Sequence, residues 1–382
     1  MAGQSNQFPT NSEIIIVGGG VIGLSIARAL ALRGVREVTV IERGEFGREA
    51  SWAAGGILAP QVEADAADDF LRIACASRDL YPRFAAALLS ETAIDIELNT
   101  TGTLYVAFTE AEEREFRARF DWQRSANLAV EWLTGNEARA IEPVLSQEVR
   151  CALRFPNDFQ VENRRLVEAL LVSNRKLGVQ LIDHCQVNAV EVKEGAVLGV
   201  GTRGGFINSN LVVIAAGAWT SSIDPSSKIE IEPVRGQMLC FLTEPEIVRH
   251  VIYSSRGYLI PRRDGRLLAG STSERVGFDK RVTEEGGRAI SAMAAEIAPW
   301  VATLRPIDCW AGLRPRAADD LPVLGNDPEI DGLYYATGHY RNGILLAPIT
   351  GEVIADAIIT RTIPPMITPF APSRSGFLSS VR

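Results

Sequence analysis

Histidine is scarce in this sequence, with three residues in 382, and the chain also lacks paired cysteines, basic tracts and long apolar runs. His184, His250 and His339 have neither the spacing of a metal site nor that of a Ser or Cys catalytic triad. The formal net charge is −8 without blocks of like charge, which disfavours nucleic acid and anionic membranes as partners. We therefore expect a small-molecule partner and no metal.

The five cysteines are scattered, and an odd number without paired spacing suits a reducing compartment better than a disulfide framework. The first residues, MAGQSNQFPTNSE, contain neither the basic nor the apolar region of a signal peptide. No run of apolar residues is long enough to span a membrane. We expect a soluble, cytoplasmic protein, and the composition leaves a homo-oligomer possible.

One segment, EIIIVGGGVIGLSIARALALRGVREVTVIER, predicts a strand at Ile14–Val17, a helix at Val21–Arg33 and a strand at Glu37–Glu42. Three glycines of a G-x-G-x-x-G pattern lie between the first strand and the helix: Gly18, Gly20 and Gly23. Such glycines let a pyrophosphate approach the backbone at a helix N-terminus, and an acid at the end of the next strand, here Glu42, accepts hydrogen bonds from a ribose. This segment therefore predicts a dinucleotide site.

A second match to the same pattern, GVGTRG at Gly199–Gly204, is followed by strand residues and not by a helix. We interpret it as a hairpin.

The rest of the sequence favours FAD over NAD. A run of small residues, REASWAAGGILAP at Arg48–Pro60, follows Glu42 where a nicotinamide-dependent dehydrogenase would continue into a regular helix. Near the C-terminus, ATGHYRNGILLAPITG at Ala336–Gly351 predicts a strand that breaks at glycine and re-enters a helix. A helix N-terminus at that position can stabilise negative charge on the pyrimidine edge of a flavin.

Further elements follow from periodicity and turn residues. We predict helices at Asp65–Ile94, Glu110–Ala126, Arg164–Leu177, Glu284–Ile297 and Thr350–Thr360, strands at Thr101–Phe108, Leu211–Ala216 and Gly332–Gly338, and a hairpin turn at Arg262–Gly265.

Five motifs, in this order, resemble the D-amino-acid oxidase-like FAD amine oxidases: VGGGVIGLSIARALALRG, SWAAGGILAP, GYLIPRRDGRLLAGST, WAGLRP and GHYRNGILLAPITG. The chain is similar in particular to the glycine oxidases of thiamin thiazole biosynthesis, from Ile14 to about Thr360. The resemblance implies an α/β fold, in which a Rossmann-like FAD-binding domain of the glutathione-reductase type is interleaved with an α+β substrate domain on an antiparallel sheet. It also implies oxidation of glycine or a similar small amino acid to the imine, with O2 reduced to H2O2 and with glyoxylate and ammonia formed by hydrolysis.

The same resemblance implies roles for single residues. Arg314 would hold the substrate carboxylate, Tyr258 would line the site, and Arg341 would lie beside substrate and flavin. A planar guanidinium can grip a carboxylate through two parallel hydrogen bonds, which supports the role of Arg314. We assign FAD binding to these residues: Gly18, Gly20, Val21, Ile22, Gly23, Glu42, Arg43, Ser51, Ala54, Gly55, Gly56, Val187, Gly217, His339, Tyr340, Arg341, Asn342, Gly343, Ile344 and Leu345.

The predicted domains are discontinuous. The FAD-binding domain comprises 13–85, 150–225 and 305–365, the substrate domain comprises 86–149 and 226–304, and 1–12 and 366–382 are flexible tails.

Two positions depart from the glycine oxidase pattern, because Arg256 and Ser273 stand where those enzymes can carry histidine and methionine. An arginine near the mouth of the site would favour an acidic substrate or close a lid through a salt bridge. A sarcosine or D-amino-acid oxidase or dehydrogenase of the same fold is the alternative function, and a non-catalytic flavin-binding module is the alternative of another class. Cys309 precedes WAGLRP, where sarcosine oxidases can carry a cysteine bonded to flavin. The preferred interpretation is that Cys309 is not bonded to the flavin.

Overall fold

The computed structural model describes residues 9–223 and 229–374. The helices are α1 Val21–Leu32, α2 Ala50–Ala53, α3 Asp69–Thr92, α4 Glu110–Ser125, α5 Gly135–Ile141, α6 Asn163–Lys176, α7 Thr220–Ile223, α8 Glu284–Ile297 and α9 Gly343–Thr360. Short 3-10 helices lie at Gly217–Trp219, Pro299–Thr303 and Pro365–Phe370.

The strands are β1 Ile14–Val17, β2 Val38–Ile41, β3 Ile57–Leu58, β4 Thr103–Ala107, β5 Glu131–Thr134, β6 Cys151–Phe155, β7 Phe159–Gln160, β8 Gln180–Ile182, β9 Val187–Lys193, β10 Ala196–Thr202, β11 Gly205–Asn208, β12 Val212–Ile214, β13 Ile231–Leu242, β14 Val251–Ser254, β15 Gly257–Pro261, β16 Arg266–Gly270, β17 Asp308–Ala317, β18 Val323–Asn326 and β19 Leu333–Thr337.

A six-stranded sheet in the order β18-β19-β12-β1-β2-β8 forms the centre of the glycine-rich half. All its neighbouring strands are parallel except β18 and β19. Alternate residues of β1 face opposite layers: Ile14 and Ile16 pack with α1, α3, α6 and α9, whereas Ile15 and Val17 pack toward the three-stranded sheet β11-β10-β9. Both faces are therefore covered, which explains the uninterrupted apolar strand IIIV.

An eight-stranded sheet in the order β17-β13-β16-β15-β14-β4-β6-β5 forms the other half. Its described pairs are antiparallel except β14 and β4, which are parallel. Leu239 and Phe241 of β13 pack against α8, while Met238 and Cys240 face the opposite side together with Tyr258. The alternation of β13 thus gives this sheet one face for the core and one for the region between the two sheets.

Helix α9 begins seven residues before the predicted start at Thr350. Pro348 lies inside this helix, where a proline leaves the carbonyl four residues before it without a donor. In the structure, the hydroxyl of Tyr81 donates to that carbonyl, of Ile344, and Ser77 donates to Leu345 O at 2.6 Å. Side chains of α3 therefore replace the missing bond and allow the helix to start at Gly343.

Helix α9 is the one described helix that is long and apolar enough to cross a membrane, but 72% of this segment is buried inside the protein. It packs closely on α1, since a Cβ at Gly351 would lie 2.8 Å from Ser25 O. This contact identifies it as a core helix.

Most predicted elements are present with boundaries shifted by a few residues, and the helix at Glu284–Ile297 has the predicted bounds. The segment GVGTRG belongs to the β10–β11 hairpin, as predicted. The sequence patterns missed the short α5, β5 and β6, which have too few residues for a clear period.

The domain boundaries stay a prediction, but two strands lie in another sheet than these boundaries imply. Strands β6 and β17, placed in the FAD-binding domain at the sequence level, hydrogen-bond within the eight-stranded sheet. Of the predicted tails, Ser12 is buried and the segment Pro365–Phe370 is a 3-10 helix with Ile367 and Phe370 fully buried. The flexibility of the two tails stays a prediction, although Ser12 and residues 365–370 pack against the rest of the protein. Residues 1–8, 224–228 and 375–382 lie outside the described residues.

Candidate functional site

A cavity lined by residues of both sheets is the candidate site. The ends of β1, β2, β12 and β19 line it on one side, together with the first residues of α1 and α9. Strands β13, β15 and β17 of the eight-stranded sheet line it on the other side. Of the predicted site residues, all line this cavity except Gly23 and Leu345.

The glycine loop between β1 and α1 is shaped by close backbone approaches. Gly18 has φ +113°, and a Cβ there would lie 2.3 Å from Ala215 O. A Cβ at Gly23 would lie 2.0 Å from Gly18 O, so this glycine allows the helix to pack on the strand and does not face the cavity. Helix α1 begins after Gly20, which has no side chain to cap it, and its first residues, Val21 and Ile22, line the cavity.

Glu42 stabilises this loop as well as lining the cavity. Its carboxylate accepts hydrogen bonds from Gly19 N at 2.8 Å and Gly44 N at 3.0 Å. The adjacent end of the cavity is formed by Arg43, whose guanidinium lies 3.6 Å from the ring centroid of Trp219, and by Val187.

The small-residue loop around α2 contacts both halves of the protein. Ser51 Oγ accepts a hydrogen bond from Val21 N at 3.0 Å, which joins the loop to α1. The buried Arg262 donates to Gly55 O at 2.9 Å and to Val161 O at 2.8 Å, which joins the loop to the β15–β16 hairpin. Sequence reasoning missed this role of Arg262, which it assigned only to a hairpin turn.

The N-terminus of α9 also opens into the cavity, through Asn342, Gly343 and Ile344, and has no side-chain cap. His339 lies just before it, and burial lowers its pKa to about 3, so the imidazole is neutral at physiological pH. Its Nε2 lies 3.1 Å from Thr350 Oγ1. Leu345 is buried in the core beside α3 and does not line the cavity.

Arg314 and Tyr258 converge on one serine at the other side of the cavity. Arg314 Nη2 donates to Ser271 Oγ at 2.6 Å, and Nη1 donates to Thr272 O at 3.1 Å. The Tyr258 hydroxyl donates to the same Ser271 Oγ at 3.1 Å. Gly236 provides the space, because a Cβ at this position would lie 2.3 Å from the guanidinium nitrogens of Arg314.

Arg341 pairs with a carboxylate that sequence reasoning did not select. Its Nη2 lies 2.8 Å from Glu63 Oε1, and the Tyr253 hydroxyl donates to the same oxygen at 3.4 Å. The negative charge of Glu63 raises the pKa of Arg341. Burial raises the pKa of Tyr253, which therefore stays protonated. Glu63 follows the small-residue loop by a few positions and carries no local motif that marks it.

Three residues singled out in the sequence lie outside the cavity. Arg256 is exposed and pairs with Glu296 of α8 at 2.8 Å, so the structure gives it no role in recognising an acidic substrate. Ser273 and Cys309 are exposed and do not line the cavity either. The position of Cys309 disagrees with a covalent bond from this thiol to a cofactor in the cavity.

The cavity fits the expected flavin nucleotide. The N-termini of α1 and α9, whose N-cap residues make no side-chain hydrogen bond, meet it, and helix N-termini suit anionic groups. At Gly217 the backbone has φ +54°, and an added Cβ would meet no atom within 4 Å, which is consistent with space kept free for a bound group. In the described part of the chain no group of three or more His, Cys, Asp and Glu side chains is placed to hold a metal ion.

Comparisons with known proteins agree with this geometry. The chain is 36% identical to a glycine oxidase of Pseudomonas aeruginosa, over 95% of this chain and 99% of that protein. It is 36% identical to a bifunctional ThiO/ThiG protein of Synechocystis, covering 96% of this chain but only 54% of that protein. The crystal structure of glycine oxidase from Geobacillus kaustophilus superimposes with a TM-score of 0.91 at 33% identity, over 96% of this chain and 99% of that one.

Residues 13–357 match the profile of the DAO family, described as FAD-dependent oxidoreductases. This match and the full-length relatives show that the chain belongs to the DAO family of FAD-dependent oxidoreductases and that FAD is its cofactor.

Proposed function

We propose that this protein is a glycine oxidase, which converts glycine, O2 and water into glyoxylate, ammonia and H2O2. The observation that carries the proposal is that Arg314 and Tyr258, which both line the FAD cavity, hydrogen-bond to the same Ser271 hydroxyl. The full-length relatives named glycine oxidase support it. Bound FAD supplies a two-electron acceptor that O2 reoxidises.

The residues of the chain have to hold the amino acid so that its α-carbon faces the flavin. Ser271 Oγ and Thr272 O fix the guanidinium of Arg314, whose remaining N–H groups can bind the substrate carboxylate through two hydrogen bonds. This anchor leaves the amine and the α-hydrogen as the only other groups of glycine to be placed. Precise placement contributes to the rate without any protein acid or base.

The cofactor would extend from the glycine loop to the N-terminus of α9. Glu42 would accept hydrogen bonds from the ribose of the adenosine half, and the N-terminus of α1 would bind the pyrophosphate. The small-residue loop at Ala54–Gly56 and residues 339–344 would contact the flavin half. The N-terminus of α9 would then stabilise negative charge on the pyrimidine edge of the flavin.

The product would supply thiamin thiazole biosynthesis. The support is the bifunctional ThiO/ThiG relative, of which this chain spans about half the length. We propose a cytoplasmic location, with a small amino acid and O2 as the partners.

A peroxide assay tests the proposal. The purified yellow protein is supplied under air with glycine, sarcosine, D-alanine, D-proline or D-aspartate, and H2O2 and glyoxylate are measured. We expect peroxide from glycine in a one-to-one ratio with glyoxylate. Reduction of the flavin without formation of peroxide would contradict the oxidase activity and favour a dehydrogenase. If none of the five amino acids reduces the flavin, the proposal as a whole is contradicted.

A further inference from the structure

Glu63 is an acidic side chain in the wall of the cavity next to Tyr253. Its Oε1 accepts hydrogen bonds from Arg341 Nη2 and from the Tyr253 hydroxyl. The side chain of Glu63 is 26% exposed and that of Arg341 is 41% exposed, so a ligand in the cavity can reach both. The pair therefore belongs to the surface that a substrate meets.

The loop that carries Glu63 is fixed on both sides. Arg119 of α4 donates to Val62 O at 3.2 Å and lies 2.8 Å from the carboxylate of Asp65. Val62 N donates to the buried Asp158 at 3.3 Å. Because these bonds hold the flanking backbone, the carboxylate of Glu63 is positioned against Arg341 before any ligand binds.

The net charge of the side chains around Arg314, Arg341 and Glu63 matches a substrate with one carboxylate. Of the charged residues that line the cavity, Glu42, Arg43 and Glu49 lie at the glycine-loop end, and Arg43 pairs with Glu49. The three others are Arg314, Arg341 and Glu63, whose formal charges add to +1. A substrate with a single carboxylate and an uncharged amine neutralises this charge, whereas a second carboxylate would have to compete with Glu63 for Arg341.

We propose that Glu63 determines specificity by neutralising Arg341, so that the site accepts amino acids with one carboxylate and rejects those that carry a second anionic group. This inference rests on the proposed function. A dicarboxylate would place its second anion beside Glu63 and would have to break the ion pair with Arg341. Like-charge repulsion against the wrong ligand is a common source of specificity.

The variant Glu63→Gln tests the inference, because glutamine keeps the shape and the acceptor for Tyr253 while it removes the charge. We expect kcat/KM for iminodiacetate and for D-aspartate, relative to glycine, to rise by about 10-fold or more, which corresponds to about 1.4 kcal/mol. In the double variant Glu63→Gln/Arg341→Gln this gain should disappear, since it requires the freed guanidinium. Asp69→Asn, which removes a carboxylate at the first residue of α3 that does not line the cavity and pairs with Arg72, should leave the ratio unchanged.

Binding of non-reacting acids provides a readout that is independent of turnover. The dissociation constants of malonate and acetate are measured by titration of the flavin absorbance, and their ratio should shift toward malonate in Glu63→Gln. An unchanged ratio would overturn the inference, and so would a gain that persists in the double variant. A wild-type protein that oxidises no amino acid would instead contradict the proposed function, while the malonate-to-acetate ratio would still test Glu63.

Discussion

Replacement of Arg314 by leucine removes the proposed carboxylate anchor while it keeps much of the side-chain volume. In the structure the guanidinium is held by Ser271 Oγ and Thr272 O and lies directly over Gly236. The guanidinium is therefore preorganised for a ligand, and a substrate does not have to order it. The leucine leaves the substrate carboxylate in the cavity without its bidentate partner.

Loss of one partner of a desolvated charge pair costs about 2–5 kcal/mol. Since Arg314 is only partly buried, we expect a value near the lower end of this range. At about 1.4 kcal/mol per tenfold change, a loss of about 2 kcal/mol raises the KM for glycine by roughly 30-fold. The FAD content should not change, because the bonds that hold the glycine loop and the α2 loop do not involve Arg314.

The assay is a steady-state peroxide measurement with glycine, together with the ratio of flavin to protein absorbance and the melting temperature. Arg316→Leu is the matched control, because Arg316 lies two residues along the same strand, does not line the cavity and pairs with Glu232. If Arg314→Leu keeps the wild-type KM, the anchor lies elsewhere, and Arg341 becomes the next candidate.

Further changes test the cofactor side of the cavity. Lysine in Arg262→Lys cannot keep both the bond to Gly55 O and the bond to Val161 O, so this variant should raise the Kd for FAD by about 10-fold, measured by quenching of FAD fluorescence. The exposed neighbour variant Arg263→Lys should not change the Kd. Burial lowers the pKa of His339 to about 3, whereas an unfolded histidine titrates near 6.5, so the stability of the wild type should fall as the pH drops below about 6.5. The variant His339→Gln should therefore show a smaller drop in melting temperature between pH 7.5 and pH 5 than the wild type. An equal drop in both proteins would contradict this reasoning. Cys309→Ala and the wild type should both release yellow FAD into the supernatant after acid precipitation, and a yellow wild-type pellet would contradict the exposed position of this thiol.

The cofactor side of the fold was predictable from the sequence because its signals are local. The strand, the glycines and the helix around Gly18 are contiguous, and their backbone contacts are made within that segment or with the next parallel strands. Glu42 is the acid at the end of the second strand, as the pattern requires. The start of α9 was not predictable, because Pro348 breaks the local rule and the compensating Tyr81 and Ser77 are more than 250 residues away.

The substrate side was predictable only through resemblance. Tyr258 and Arg314 come from strands that are distant in the sequence, and Ser271, on which both converge, shows no pattern of its own. Gly236 occurs in a strand as an ordinary glycine, and its function depends on a guanidinium from the neighbouring strand β17. Such residues become visible only when the strand register is known.

This difference between the two sides has a physical origin. Binding of a pyrophosphate uses backbone N–H groups and helix N-termini, and these are generated wherever a parallel strand turns into a helix. Recognition of a small amino acid uses side-chain charges placed within a few ångströms of each other, and in this fold they come from β15, β17 and two loops. The loops that bear Glu63 and Arg341 can therefore change the charge at the substrate end without disturbing the glycine loop. Substitution of Glu63 should alter the preferred amino acid while FAD remains bound, so specificity in this chain can vary without a change at the glycine loop.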